Sequence, residues 1–218
     1  MTVSTWARGF GFALMLALNG SAFGQGIVYI NPQSQPSYSM SGTPFDVDID
    51  INGDSVPDFI LRTQDSYTSV NNAVLIPLGN NQIVAATANP YVANMNAGDT
   101  VGSSLNPVYQ WSNTKTPIGT LAILLDQQSS EDGNFVGQPS GYIGFGFMMD
   151  GANYYGWMEV TNSVSGDAGI FANVVSWAYE SDPNTPITVG AVPEPSTWAL
   201  LAAGVAFLLC RRLRPSTH

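Results

Sequence analysis

Gly141–Thr161 reads GYIGFGFMMDGANYYGWMEVT, and this stretch decides the fold. Two aromatic-rich apolar runs flank Asp150-Gly151-Ala152-Asn153, where Gly151 accepts the positive φ that a tight hairpin turn demands. Side chains alternate between the two faces of a strand. Ile143, Phe145, Phe147 and Met149 therefore share one face, and Gly144 and Gly146 the other, where they leave room for neighbouring rings. In the return run Tyr155 and Trp157 share a face, with Gly156 between them. The stretch predicts an antiparallel β-hairpin.

The same grammar extends outward in both directions. Short β-branched and aromatic runs are broken by Gly, Asn, Pro and Asp clusters. They predict strands over Ile27–Ile30, Phe45–Ile51, Phe59–Thr63, Ala73–Pro77, Gln82–Ala86, Pro107–Trp111, Ile118–Leu125, Tyr142–Met149, Tyr154–Thr161 and Ile170–Tyr179. No segment of the body sustains a capped helical period. The expected fold is all-β, an antiparallel β-sandwich or jelly roll over residues 25–180. Asn94–Asn106 reads as a polar, Gly-rich loop, and Ser181–Ala191, with Pro183 and Pro186, as a linker.

The two ends differ from this body. Arg8 is the only charged residue before Asp46, Gly9–Leu18 is apolar, and Asn19–Gly24 is small and polar. This is the pattern of an N-terminal signal peptide over 1–24, with cleavage after Gly24, or after Ala22 as the alternative. At the other end, Val192-Pro193-Glu194-Pro195 leads into an uncharged run and then Arg211, Arg212 and Arg214. The two prolines keep their segment extended and exposed. The 13 residues Trp198–Cys210 make a helix of roughly 20 Å, short of a ~30 Å bilayer core. Counting from Ser196 and adding the snorkelling arginine stems narrows the gap, so 196–210 is expected to be a transmembrane helix with its arginines on the cytoplasmic side.

The tail resembles the PEP-CTERM sorting signal of exported bacterial proteins, over residues 192–214. The resemblance implies that an exosortase-type enzyme recognises Pro193-Glu194-Pro195 and cleaves near it, after which the protein reaches the cell surface or the extracellular matrix. A tail of this kind also occurs in ice-binding proteins, but the body has no regular Thr-x-Thr array. The hairpin and the later Trp177-Ala178-Tyr179-Glu180…Thr185-Pro186-Ile187 resemble segments of other secreted proteins with this tail. Gly146 and Tyr154 depart from their pattern, which has Arg and His there.

Charge and composition exclude several functions. Between Gln25 and Ala191 fifteen acidic residues face only Arg62 and Lys115, so the body carries about −13, against −10 for the whole chain. Such a surface repels nucleic acid. The only cysteine is Cys210 and the only histidine is His218. Disulfides, thiol nucleophiles, imidazole bases and histidine-ligated zinc are therefore absent from the body.

The densest cluster of oxygen ligands is DVDIDINGDSVPDF, Asp46–Phe59. Calcium takes six to eight hard oxygens from a tightly wound loop. Asp50, Asn52 and Asp54 alternate, Gly53 lets the chain curl, Val56 offers its carbonyl and Asp58 closes the ring. The spacing resembles the short calcium loops of FG-GAP and dockerin-type repeats, with Ser55 where a second glycine is common. The EF-hand register is poorer, because it puts Phe59 where a bidentate Glu is required. The competing expectation is a half-buried strand with an acidic solvent face, ending in an Asn-Gly turn.

Three functions are then expected in descending order. The first is a non-catalytic exported component of the cell surface or polysaccharide matrix. The second is a calcium-assisted carbohydrate-binding module that stacks sugar rings on Trp111, Tyr155, Trp157 or Trp177. The third is a carboxylate-based glycoside hydrolase, with acids drawn from Glu131, Asp132, Glu159 and Glu180.

Overall fold

The computed structural model describes residues 26–32, 37–38, 45–64, 72–89, 91–113, 122–124, 133–135, 137–165 and 169–193. The expected signal peptide over 1–24, the expected transmembrane run 196–210 and its arginines lie outside them, as do Lys115, Glu131 and Asp132. Thirteen strands are found among the described residues, and no helix. They are β1 Ile27–Ile30, β2 Ser37–Tyr38, β3 Phe45–Ile49, β4 Phe59–Gln64, β5 Asn72–Pro77, β6 Gln82–Ala86, β7 Thr100–Val101, β8 Tyr109–Ser112, β9 Ala122–Leu124, β10 Ser140–Met149, β11 Ala152–Ser165, β12 Gly169–Glu180 and β13 Ile187–Thr188.

Every strand pairing is antiparallel. One sheet runs β1-β12-β11-β10-β6-β8, with β2 also on β12; a second runs β3-β4-β5-β9; a third is the pair β13-β7. The expected all-β class is therefore found. The hairpin at the centre of the large sheet is tighter than its sequence implied. Met149 pairs with Ala152, so the loop is Asp150-Gly151 alone. Both loop residues have positive φ, 52° and 78°, as a type I′ turn requires.

The large sheet is buried on both faces, for two different reasons. On one face Ile143, Phe145, Phe147, Met158, Trp177 and Tyr179 pack in one buried cluster with Ile49, Phe59, Leu61 and Leu75 from the four-stranded sheet. The rings of Phe59 and Phe145 meet edge-on at 5.5 Å across that boundary. On the other face Tyr155, Trp157 and Ala178 pack with Met95, Val101, Ile187 and Val189. The cover on this second face comes from two segments expected to be irregular. Asn94–Asn106 contributes buried Met95 and Val101 and the strand β7. Ser181–Ala191, expected to be a linker, contributes β13, in which Ile187 pairs with Val101 and Thr188 with Thr100. The apolar residues Ile187 and Val189 alternate with Thr188, so the segment lays an apolar edge onto the sheet.

Candidate functional site

The acidic loop begins where β3 ends. Asp50 accepts through Oδ1 from the backbone N–H of Gly53 at 2.7 Å and Asp54 at 3.2 Å, and through Oδ2 from Ser55 at 2.7 Å. Asn52 Oδ1 accepts from Asp54 N at 3.0 Å, and Asp54 Oδ1 from Val56 N at 2.8 Å. The loop is thus wound by a chain of side-chain-to-backbone turns, as Asx residues favour. Two left-handed positions make the winding possible, Gly53 at φ 78° and Ser55 at φ 70°. The second is the place where a glycine was noted as missing, and serine holds the strained conformation there.

Asp58 points the other way. Its Oδ2 accepts from the backbone N–H of buried Ile51 at 3.0 Å, and its Oδ1 from Asn81 Nδ2 at 3.0 Å. Burial pushes its carboxyl above the usual range, against the pull of those two hydrogen bonds, and the nearby Asp54 and Asp50 charges add to the rise. The side chains expected to gather around calcium therefore spend their oxygens on the loop's own N–H groups and on Asn81. Among the described residues no three acidic, histidine or cysteine side chains form a metal-holding group. In this arrangement the donor set is not assembled around one point. Val56, whose carbonyl was the fifth candidate ligand, is exposed.

The aromatic candidates do not form the solvent-facing platform that the carbohydrate-binding alternative needs; three of them stand in the sheet core, the other reading of these rings. Tyr155, Trp157 and Trp177 are buried in the two cores. Each tryptophan spends its indole N–H on a backbone carbonyl: Trp177 on Ile51 at 3.1 Å, Trp157 on Ala191 at 3.1 Å and Trp111 on Gly102 at 3.3 Å. Trp111 is only half-buried, but its ring lies 5.8 Å from that of Tyr155 and against Gly146. The correction has a physical cause. Among the described residues both faces of the large sheet are covered where Tyr155, Trp157 and Trp177 stand. Of the candidate acids, Glu159 Oε2 accepts from Ser176 Oγ at 3.3 Å. Gly156 pairs with Tyr179, which sets Glu180 beside Tyr155, four residues along β11 from Glu159. Their Cα positions are then roughly 14 Å apart by strand geometry.

The chain leaves the body along a pinned path. Asn184 N donates to Asn153 O at 2.7 Å, Val189 N to Asp99 O at 2.8 Å, and Ala191 N to Thr188 O at 3.0 Å. The Trp157 indole holds Ala191 from the sheet side. Beyond it Val192 and Pro193 are exposed. Residues 191–214 match the family model of the PEP-CTERM protein-sorting motif. The chain carries a PEP-CTERM sorting motif. No curated protein and no solved structure matches the chain.

The sorting motif thus starts at the last residue that the folded body holds. Of its residues, Val192 and Pro193 are described and solvent-facing, whereas Glu194, Pro195, Arg211, Arg212 and Arg214 lie outside the described residues. Among the described residues no helix is long and apolar enough to cross a membrane. Sequence reasoning missed the anchoring of Ile187–Ala191 beneath Trp157. Its only local signal is the β-branched triplet Ile187-Thr188-Val189, which is too short to register as a strand.

Proposed function

We propose that this is a non-catalytic exported protein that a signal peptide sends through the inner membrane. Its PEP-CTERM tail anchors it there briefly, and exosortase-type processing then delivers it to the cell surface or the extracellular polysaccharide matrix. The observation that carries this reading is the motif match at 191–214, beginning where the body's last hydrogen-bonded residue ends. The cluster shared by the large and the four-stranded sheets supports reading the body as a β-sandwich, an inert and acidic structural or interaction unit. In a host with the processing enzyme, the unaltered chain should lose the tail after Pro195 and leave the membrane fraction. A chain with Pro193→Ala and Glu194→Ala should keep its tail and stay with the inner membrane. Equal processing of the two chains, judged by intact mass and fractionation, would count against the proposal.

A second reading puts calcium in the Asp50–Asp58 loop. It is favoured by the ligand spacing and by the charges of Asp54 and Asp50, which add to the rise that burial gives the Asp58 carboxyl. A cation would offset that repulsion. Binding would need the carboxylates to turn from their backbone donors toward a common centre. At a hundredfold excess over Kd a ligand adds about 2.7 kcal/mol. For a chain of this size that is about 5–10 °C in Tm. Calcium should raise the melt by that amount and EDTA should reverse it. An unchanged melt, with no calcium in the isolated protein, leaves the hydrogen-bonded turn as the loop's sole organisation.

A further inference from the structure

Asn52-Gly53 carries an electrophile and a nucleophile that the chain itself holds within one ring closure of each other. The Gly53 nitrogen, the carbonyl carbon and Cα of Asn52, and Asn52 Cβ and Cγ together make a five-membered ring. Gly53 is exposed, and a Cβ built on it would meet nothing within 4 Å, so the space beside it is open to water.

The loop's hydrogen bonds put a partner on each reacting atom. The Gly53 N–H donates to Asp50 Oδ1 at 2.7 Å, so a carboxylate already sits on the proton that must leave the nucleophile. The Asp54 N–H, shared with Asp50 Oδ1 at 3.2 Å, donates to Asn52 Oδ1 at 3.0 Å. That donor polarises the side-chain carbonyl and meets the negative charge that grows on its oxygen during attack. Asn52 Nδ2 donates to Asp54 Oδ2 at 3.0 Å, which fixes the amide in this orientation. Arg62, the one cation among the described residues, is held by Asp46 and leaves the Asp50 base un-neutralised.

We propose that Asn52-Gly53 is a self-modification site, where the folded loop promotes conversion of its own asparagine to aspartate and isoaspartate. Gly53 N attacks Asn52 Cγ as its proton passes to Asp50. The Cγ–Nδ2 bond breaks, the proton returns through water to Nδ2, and ammonia leaves. Water then opens the cyclic imide. Opening at Cγ gives aspartate. Opening at the Asn52 backbone carbonyl gives isoaspartate, with the main chain rerouted through Cβ. One water is consumed and one ammonia released, and nothing is oxidised or reduced. The product sets a further carboxylate between Asp50 and Asp54, and its isoaspartyl form lengthens the turn by one methylene. The loop therefore changes irreversibly as the protein ages.

The test is a time course of the purified chain at neutral pH in buffer containing EDTA, followed by peptide mapping and an isoaspartyl methyltransferase assay. A synthetic peptide of residues 48–59 supplies the rate of the same sequence without the fold. Asn52 should gain the mass of OH in place of NH2, partly as isoaspartate. The unaltered chain should react at least about tenfold faster than either the peptide or Asp50→Asn, a floor below the ordinary contribution of a positioned base. The peptide comparison stands even where Asp50→Asn unwinds the loop. An Asn52 that stays unmodified, a folded chain no faster than the peptide, or an Asp50→Asn chain as fast as the unaltered one would overturn the proposal.

Discussion

Trp177→Ala is expected to lower the melting temperature by about 8–32 °C. The side chain is buried in the cluster that joins the two sheets, on the strand that pairs with both β11 and β1. Truncating a buried aromatic costs about 3–5 kcal/mol in lost transfer energy and residual cavity. The indole N–H also serves the carbonyl of Ile51, at the start of the acidic loop. Ile51 is buried, so that carbonyl is left without a donor, which adds about 1–3 kcal/mol. Each kcal/mol moves Tm by about 2–4 °C in a domain of this length. Trp177→Phe separates the two terms, because it keeps most of the packing and removes only the donor. It should cost about a third of the alanine effect. A sugar-stacking tryptophan would behave in the opposite way, with glycan binding lost and the melt unmoved. Thermal melts of both variants, followed by circular dichroism, decide between a core and a binding role for this residue.

The placement of Trp177 shows how far local pattern carries. Where a β-branched run is bounded by Gly or Asn, as in Ile27–Ile30 and Gln82–Ala86, expected and observed strand ends coincide. The alternation in the hairpin also assigned faces correctly, with Ile143, Phe145 and Phe147 on one side and Tyr155 and Trp157 on the other. What covers the second face was not legible. Its lid is made by Val101 and by Ile187, 86 residues later, in strands of two residues that have no periodicity of their own. An exposed aromatic stripe and one covered by a distant segment look alike in sequence. The acidic loop has the same limit. Its turn could be read from Asp50-Ile51-Asn52-Gly53, but the inward rotation of Asp58 is set by Asn81 and by the Ile51 N–H, neither of which the spacing encodes. The sorting motif was fully legible because such a signal must work on an extended segment, independent of tertiary context.

Gly156→Ala tests the register on which both cores depend. Gly156 pairs with Phe145 on one side and Tyr179 on the other, in the middle of the large sheet. A methyl group there would meet the Phe145 ring and come within 2.6 Å of the Ala178 carbonyl oxygen. A side-chain tip can swing away, but this oxygen belongs to the β11–β12 pairing, and moving it disturbs the ladder. Phe145 has little room to yield either, since its ring packs 5.5 Å from Phe59 and 6.0 Å from Phe147. The ordinary gain of about 0.5–1 kcal/mol for replacing a strand glycine is therefore outweighed by overpacking of about 1–3 kcal/mol or more. The expected result is a Tm lower by on the order of 5 °C. Gly146→Ala is the internal control. Its nearest neighbour is the edge of the Trp111 ring at 3.4 Å, which can give way, so the melt should stay close to that of the unaltered chain. Phe145→Leu removes the ring that the new methyl strikes. Combined with Gly156→Ala it should cost less than the two single effects added, as residues sharing one space do. Strict additivity, or an alanine at 156 that melts like glycine, would mean that Phe145 does not lie over Gly156 and that the hairpin pairs in another register.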